Sequence, residues 1–401
     1  MRRIYLDYQA TTPVRPEARA AMEPYWGEHF GNAASLHEAG VRARDALQTA
    51  REQMATLIQA PSANDILFTS DGTESANLAV LGAALANQRR GRHLVVSAAE
   101  HPAVQQSVDL LERQGFTVSR LGLDAWGRVR PAEIAAALTP ETILVAVQMA
   151  SPDLGTLQPV AEIGRLLTGS STLFYVDAEA AAGWVPVEVT AMGAHLLSFS
   201  PHKFYGPKGV GVLYRHPRAR LIPQLVGGAQ ENGLRSGTEN IPAIVGAGVA
   251  AELASRELAS RQTHVRALQQ HLWEGVQKCI PQAQLNGPPP GPDRVPQTVS
   301  VSLEFVEGEA VVLACDLQGV AFHSGAACVS KTLKVPPVLR ALGMDPGLAA
   351  GTVLFSLGVE TTVEDLNEAL DVVVRVVAKL RAMSPLWDDF QRGVIPSKIA
   401  S

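Results

Sequence analysis

Apolar residues recur along this chain in two rhythms that take turns. Runs dense in Val, Ile, Leu and Phe predict buried strands at 65–69, 93–97, 116–121, 142–148, 172–177, 195–199 and 210–214. Between them, apolar positions at helical spacing predict helices at 40–60, 75–87, 102–114, 131–138 and 160–167, with another from Pro16 onward. Strand, helix and strand in turn, joined by short loops, imply an α/β domain on a largely parallel sheet.

The rhythm changes after a loop of small and hydroxyl residues at 227–238. A long amphipathic stretch from Pro242 to about Cys279 has the length of a helix bridging two domains. A turn rich in Pro and Gly at 286–293 follows, read as a rigid surface turn. Beyond it, strands at 298–303, 320–323 and 352–357 and helices at 308–318 and 363–383 predict a smaller α+β domain. The expected division is a large domain over 16–256 and a small domain formed by 1–15 and 257–401.

Length and composition narrow the function classes. A chain of 401 residues with 46% hydrophobic and 18% charged residues can bury a substantial core. Net charge is −5 with no long basic run, and Arg89-Arg90-Gly91-Arg92 is too short to outweigh the reading of a solvated helix end, so nucleic acid is not an expected partner. The N-terminus meets a charge before any apolar leader can form, and no apolar run reaches membrane-spanning length, so the expected location is the cytoplasm. Three cysteines, Cys279, Cys315 and Cys328, are too few for a disulfide framework and lack paired metal-ligand spacing. Any role for them is as thiols. No Gly-x-Gly-x-x-Gly follows a strand and no Walker lysine loop is present, which removes dinucleotide and nucleoside triphosphate readings.

The chemistry-bearing residues fall at strand ends. The strand reaching Phe199 runs into Ser200-Pro201-His202-Lys203, and the strand one unit earlier ends in Asp177. Ends of neighbouring parallel strands share the edge where ligands bind. An amine able to form a Schiff base and an acid able to pair with a pyridinium nitrogen make the pattern of pyridoxal phosphate. Taken singly, Lys203 reads as a solvated loop lysine and Asp177 as a helix cap; taken together they favour the cofactor. Strand 65–69 leads through Ser70-Asp71-Gly72-Thr73-Glu74 into a helix, which offers free backbone N–H groups to a phosphate or is simply a capped helix. His101, in Glu100-His101-Pro102, lies at the same edge, either stacked on a flat ring or as a helix-start imidazole in water. Cys328 sits in a loop of Gly, Ala and Ser after a strand, a better nucleophile setting than the apolar helix of Cys315.

Residues 5–13 (Tyr-Leu-Asp-Tyr-Gln-Ala-Thr-Thr-Pro), 30–32 (Phe-Gly-Asn), 100–102, 200–211, 234–240 (Leu-Arg-Ser-Gly-Thr-Glu-Asn) and 324–328 (Ser-Gly-Ala-Ala-Cys) together resemble the cysteine desulfurases. The resemblance runs nearly end to end and in order. It implies a fold-type I pyridoxal phosphate enzyme of the class V aminotransferase group. Such enzymes are homodimers that take sulfur from L-cysteine as an enzyme persulfide, leave alanine and pass sulfur to an acceptor protein in iron-sulfur cluster assembly. By resemblance, Lys203 carries the Schiff base, His101 stacks on the ring and Asp177 pairs with the ring nitrogen. Gly72, Thr73, Ser200 and His202 hold the phosphate, Thr238 reaches over from the partner subunit, and Cys328 carries the persulfide.

The sequence departs from that pattern where substrate is held. Pro152 stands in place of an asparagine that contacts the ring hydroxyl and substrate carboxylate, and Ala180 in place of a glutamine. Leu354 replaces the arginine that clamps the substrate carboxylate, with Arg235 the candidate replacement cation. Asp71 and Gly72 stand where Gly-Ala is usual, and Asn232 where an arginine is usual. The cofactor-holding set survives while the substrate-holding set is depleted, so the alternatives are a lyase or transferase on another amine or sulfur substrate, or a weakly catalytic assembly partner.

Overall fold

The computed structural model describes residues 3–325 and 337–399; Cys328 lies outside them. Thirteen strands are described: β1 (Ile4–Tyr5), β2 (Ile66–Thr69), β3 (His93–Ser97), β4 (Thr117–Leu121), β5 (Thr142–Gln148), β6 (Leu173–Asp177), β7 (Leu196–Phe199), β8 (Gly211–Arg215), β9 (Ala283–Leu285), β10 (Thr298–Leu303), β11 (Val320–Ala321), β12 (His323–Ser324) and β13 (Thr352–Ser356). Seven of them form one sheet in the order β2-β8-β7-β6-β5-β3-β4.

The four pairings from β4 to β7 are parallel, whereas β8 runs antiparallel to both β7 and β2. Direction follows from the connections. Helices Pro102–Arg113 and Val160–Leu166 carry the chain back for parallel entry, but 200–210 is too short for such a crossover and reverses direction instead.

The central strands are apolar on both faces because helices cover both. Leu94, Val96, Leu144, Ala146, Tyr175 and Leu196 pack with Val104, Val108 and Leu111 of helix Pro102–Arg113. Val95, Val145, Val147, Phe174, Val176 and Leu197 point the other way, towards Leu47, Met54, Ile163 and the first half of helix Ile241–Cys279. A period of two within unbroken apolar runs is the signature of a sheet buried on both sides.

Helix Ile241–Cys279 is the longest element and enters two cores. Its Ala247, Ala250, Ala251 and Ala254 belong with the large sheet, while Val265, Leu268, Leu272 and Val276 belong with a second cluster built on an antiparallel sheet, β12-β13-β10-β9. Small side chains allow a close crossing with helix Glu38–Leu57; a Cβ on Gly248 would stand 2.9 Å from Ala50 Cα. Helix Val363–Arg381 closes the second core, its start fixed by a reciprocal capping box between Thr362 and Asp365.

Three expectations change. The strand expected over 320–323 is two strands: β11 pairs with β1, then the chain turns at buried Phe322 so that β12 pairs with β13. The helix expected from Ser75 begins at Gly72, because the Asp71 carboxylate accepts the Glu74 N–H at 2.8 Å and caps it there. The turn at 286–293 is anchored rather than superficial. Asn286 is buried, and the enclosed Arg294 donates to the carbonyls of Pro288 (2.7 Å), Thr298 (3.2 Å) and Asn286.

Arg294 bears on the site because its neighbours hold the 151–157 segment. Leu157 N–H donates to Asp293 O (2.9 Å) and Val295 N–H to Gly155 O (2.8 Å). Burial pulls the Arg294 pKa down to about 9, so it remains charged at neutral pH. Truncation leaves several buried carbonyls without donors, each costing roughly 1–3 kcal/mol. Arg294→Ala is therefore expected to lose about 3 kcal/mol or more of stability in urea unfolding; a loss within about 0.5 kcal/mol, the range of an ordinary surface change, would contradict this role.

Candidate active site

Register fixes the floor of the site. Gln148 of β5 pairs with Asp177 of β6, and Asp177 pairs with Ser198 of β7, so three adjacent strands end in one row. Past that row opens a cleft of about 170 Å³ lined by Gln9, Asp71, Gly72, Thr73, His101, Gln148, Ala150, Pro152, Asp177, Glu179, Ala180, Ser200, His202 and Lys203. The sequence-predicted residues Gly72, Thr73, His101, Asp177, Ser200, His202 and Lys203 thus meet around one space. Thr238 is exposed and outside that lining.

Each polar side chain is oriented by a neighbour. Lys203 Nζ donates to Gln9 O at 2.6 Å, and the preceding His202 Nδ1 lies 3.1 Å from Thr11 Oγ1. The N-terminal strap is therefore part of the wall. Asp177 Oδ1 accepts the Glu179 N–H at 2.9 Å, and burial raises its pKa while His101 and Lys203 partly offset the rise. His101 Nδ1 accepts the Ala103 N–H at 3.1 Å, which assigns the neutral ring's proton to Nε2. Burial pulls that imidazole below its ordinary value, with Asp177 opposing and Lys203 reinforcing. Burial likewise pulls His202 down to about 4, helped by Lys203 and Lys208, so both rings are neutral at pH 7.

Sequence reading passed over three acids or amides here. Glu100 is buried, accepts the Gln148 N–H at 2.7 Å and is held well above the carboxylate range by burial, with the Asp177 charge adding. Gln148 Nε2 is buried without a partner among the described residues. Glu179 places Oε1 2.9 Å from Ser200 Oγ. Its signal was available: the residue two beyond a strand-end aspartate turns back towards the loops of the same edge.

A second recess, about 240 Å³, adjoins the first through Gln9, His101, Pro152 and Lys203. Leu354 is buried in its wall, in register with His323, beside Pro102, Val338, Asp7 and Asp153. Burial lifts Asp153 to about 6 and raises Asp7, whose shift His323 and Lys203 oppose. No guanidinium is among the described residues lining it. Arg235, the candidate replacement, is committed elsewhere: its Nε donates to Glu74 Oε1 at 2.9 Å.

The lining fits a phosphorylated pyridine aldehyde. A buried carboxylate faces the cleft floor, an unpartnered amide stands beside it, and an amine projects from the next strand end. At the other end the Glu179 carboxyl lies in the cup between Ser200 and Gly72, its Oε1 accepting the Ser200 O–H as a phosphate oxygen would. A Cβ on Gly72 would overlap that carboxyl, so the glycine is what leaves the cup open. Fold and site together define a pyridoxal phosphate enzyme on an α/β scaffold.

Comparison with known proteins narrows the class. The "Aminotransferase class-V" family profile matches residues 4–369. The chain is 46% identical over 399 residues to cysteine desulfurase IscS of Anaeromyxobacter sp. strain Fw109-5, covering 99% of this chain and 98% of that one. It is 42% identical over 390 residues to cysteine desulfurase IscS of Dictyoglomus turgidum, covering 97% and 98%. A solved NifS-like protein superposes with a TM-score of 0.88 at 32% identity, covering 94% of this chain and all of that one. The chain belongs to the class-V aminotransferase family, and within it to the cysteine desulfurases.

Supplied with pyridoxal phosphate, the purified protein is expected to show a visible absorption band that Lys203→Ala abolishes. Asp177→Ala should weaken cofactor binding by about 1.5–3 kcal/mol, or roughly ten- to 150-fold. Absorbance titration measures both, and a band that survives Lys203→Ala would contradict the assignment of the amine.

Proposed function

We propose that the chain removes sulfur from L-cysteine, accepts it on Cys328 as a persulfide and releases alanine, working as a cytoplasmic homodimer that hands sulfur to an acceptor protein. The observation that carries the reading is the convergence of Lys203, Asp177 and His101 on one cleft within a chain of cysteine desulfurase type. The dimer and its use of Thr238 from the partner subunit rest on resemblance, as does the persulfide role of Cys328. The domain division at about residue 256 has support in helix Ile241–Cys279, whose core contacts change cluster between Ala254 and Val265. No helix among the described residues is long and apolar enough to cross a membrane.

Pyridoxal phosphate, when bound, supplies an electron sink for the bonds at the substrate's α-carbon. In the proposed site Lys203 would hold the cofactor's aldehyde carbon, Asp177 would keep a proton on the ring nitrogen, and Gly72, Thr73, Ser200 and His202 would receive the phosphate. His101 would cover the ring, with Nε2 carrying its proton because Nδ1 is engaged by the Ala103 N–H. Cys328, as thiolate, attacks the substrate sulfur: an S–S bond forms, the C–S bond breaks, and the released electron pair is protonated on the way to alanine. Cys315 is unsuited to that task, since burial pushes its thiol up to about 12.

Incubation with L-cysteine and reductant tests the reading, with sulfide and alanine expected in equal amounts. Cys328→Ser should keep the cofactor band and lose persulfide and sulfide. Alkylation with peptide mapping should label Cys328 ahead of the exposed Cys279 and the buried Cys315. Sulfide production undiminished in Cys328→Ser would overturn the carrier assignment.

Substrate affinity should be low. Leu354 offers no charge-assisted bonds to a carboxylate, Pro152 offers neither an amide side chain nor a backbone N–H, and Asp7 and Asp153 share the recess. A lost carboxylate clamp costs about 2–5 kcal/mol. Leu354→Arg is expected to tighten L-cysteine binding about tenfold or more when the cofactor band is titrated. Saturation of the wild type at low L-cysteine, unchanged in the variant, would show that the missing guanidinium is immaterial.

A further inference from the structure

Glu179 occupies a position with no role in the scheme above. Its backbone N–H is tied to Asp177 Oδ1 at 2.9 Å, which turns its side chain away from the strand and across the mouth of the cup. There Ser200 Oγ donates to Oε1 at 2.9 Å, and Gly72 passes so close beneath that no Cβ would fit. These are two of the groups proposed to receive the cofactor's phosphate. The side chain is half-buried and lines the cleft, so its charge state is set by its neighbours.

Those neighbours come from every surrounding element. Asp177 ends β6, Asp71 precedes the helix at Gly72, and Lys203 follows β7, with His202 beside it and neutral. Burial and the Asp177 charge lift Glu179 to about 8, Lys203 and the Ser200 hydrogen bond oppose, and Asp71 adds to the rise. An ionised Glu179 next to a phosphate dianion would repel it at hydrogen-bond range. A neutral Glu179 has an O–H to give.

Building on the pyridoxal phosphate reading, we infer that Glu179 is a cofactor ligand that acts as a neutral carboxylic acid, donating its O–H to a phosphate oxygen. The phosphate then takes over the hydrogen bond that Ser200 gives to Glu179 in the free chain. The linkage has a definite sign. The dianion raises the Glu179 pKa further, so ligand binds with the acid protonated. Affinity is then independent of this group below the free-chain pKa. Above it, each binding event takes up one proton and affinity falls about tenfold per pH unit.

Pyridoxine 5′-phosphate is the probe, because its alcohol cannot condense with Lys203 and its phosphate is already a dianion above about pH 7. Calorimetric titration from pH 7 to 9.5 compares full-length wild type with Glu179→Gln and Glu179→Ala, each checked for folding by thermal unfolding. At pH 7, Glu179→Gln, which keeps a donor and cannot ionise, should bind within about threefold of wild type, and Glu179→Ala about tenfold more weakly. By pH 9.5 the wild type should have weakened about thirtyfold relative to Glu179→Gln. A wild-type to Gln affinity ratio that stays constant across the range would overturn the inference while leaving the cofactor assignment intact. Absence of probe binding in all three folded proteins would overturn the cofactor assignment and this inference with it.

Discussion

The site depends on in-register pairing of three parallel strands. Gln148, Asp177 and Ser198 end β5, β6 and β7 at one level, and the loops that follow deliver the cleft wall on one side and Ser200, His202 and Lys203 on the other. A shift of one residue along β6 would turn Asp177 into the packed layer and present Val176 or Ala178 instead. Such a shift is resisted by both faces at once, because Phe174 and Val176 belong to one core and Tyr175 to the other. Packing of the large sheet is thus the means by which one carboxylate is aimed.

What the sequence made legible follows from how that packing is written. Doubly buried strands are unbroken apolar runs, and the strand-end residues stand out because polarity returns abruptly at Asp177 and Ser200. Less legible was anything decided across space. Phe322 sits in a single apolar run, yet its neighbours pair with two different sheets. Gly72 opens a helix because Asp71 caps it, a contact with no periodicity to announce it. The closeness of Glu179 to a glycine more than a hundred residues away, and the pairing of Arg235 with Glu74, are set only by the fold.

The two recesses divide the chemistry unevenly. The inner one retains an amine, an imidazole and an acid in tightly prescribed positions, each held by a backbone atom. The outer one is lined by Leu354, Val338 and three prolines along with Asp7 and Asp153, whose carboxyls burial pushes towards neutrality. The first gathers the groups proposed to hold the cofactor; the second adds apolar surface and acids to the His101, His323 and Lys203 side chains that also line it.

The 39-residue helix Ile241–Cys279 has a mechanical meaning. At 1.5 Å per residue it is about 58 Å long, and the span beyond Val265 projects about 22 Å into the second core. The stretch at 255–264, between the two sets of apolar anchors, is held by polar contacts instead: buried Arg261 pairs with Glu257 at 2.9 Å, and Gln262 Nε2 donates to Trp184 O at 2.8 Å. A bend of about 10° there would carry the far end through about 4 Å, because a stiff rod converts angle into displacement in proportion to its reach. The segment that supplies the outer recess with Leu354 and His323 belongs to the unit moved by that rod. Contacts that hold the helix angle therefore also hold Leu354 and His323 at their distance from His101 and Lys203 across the outer recess.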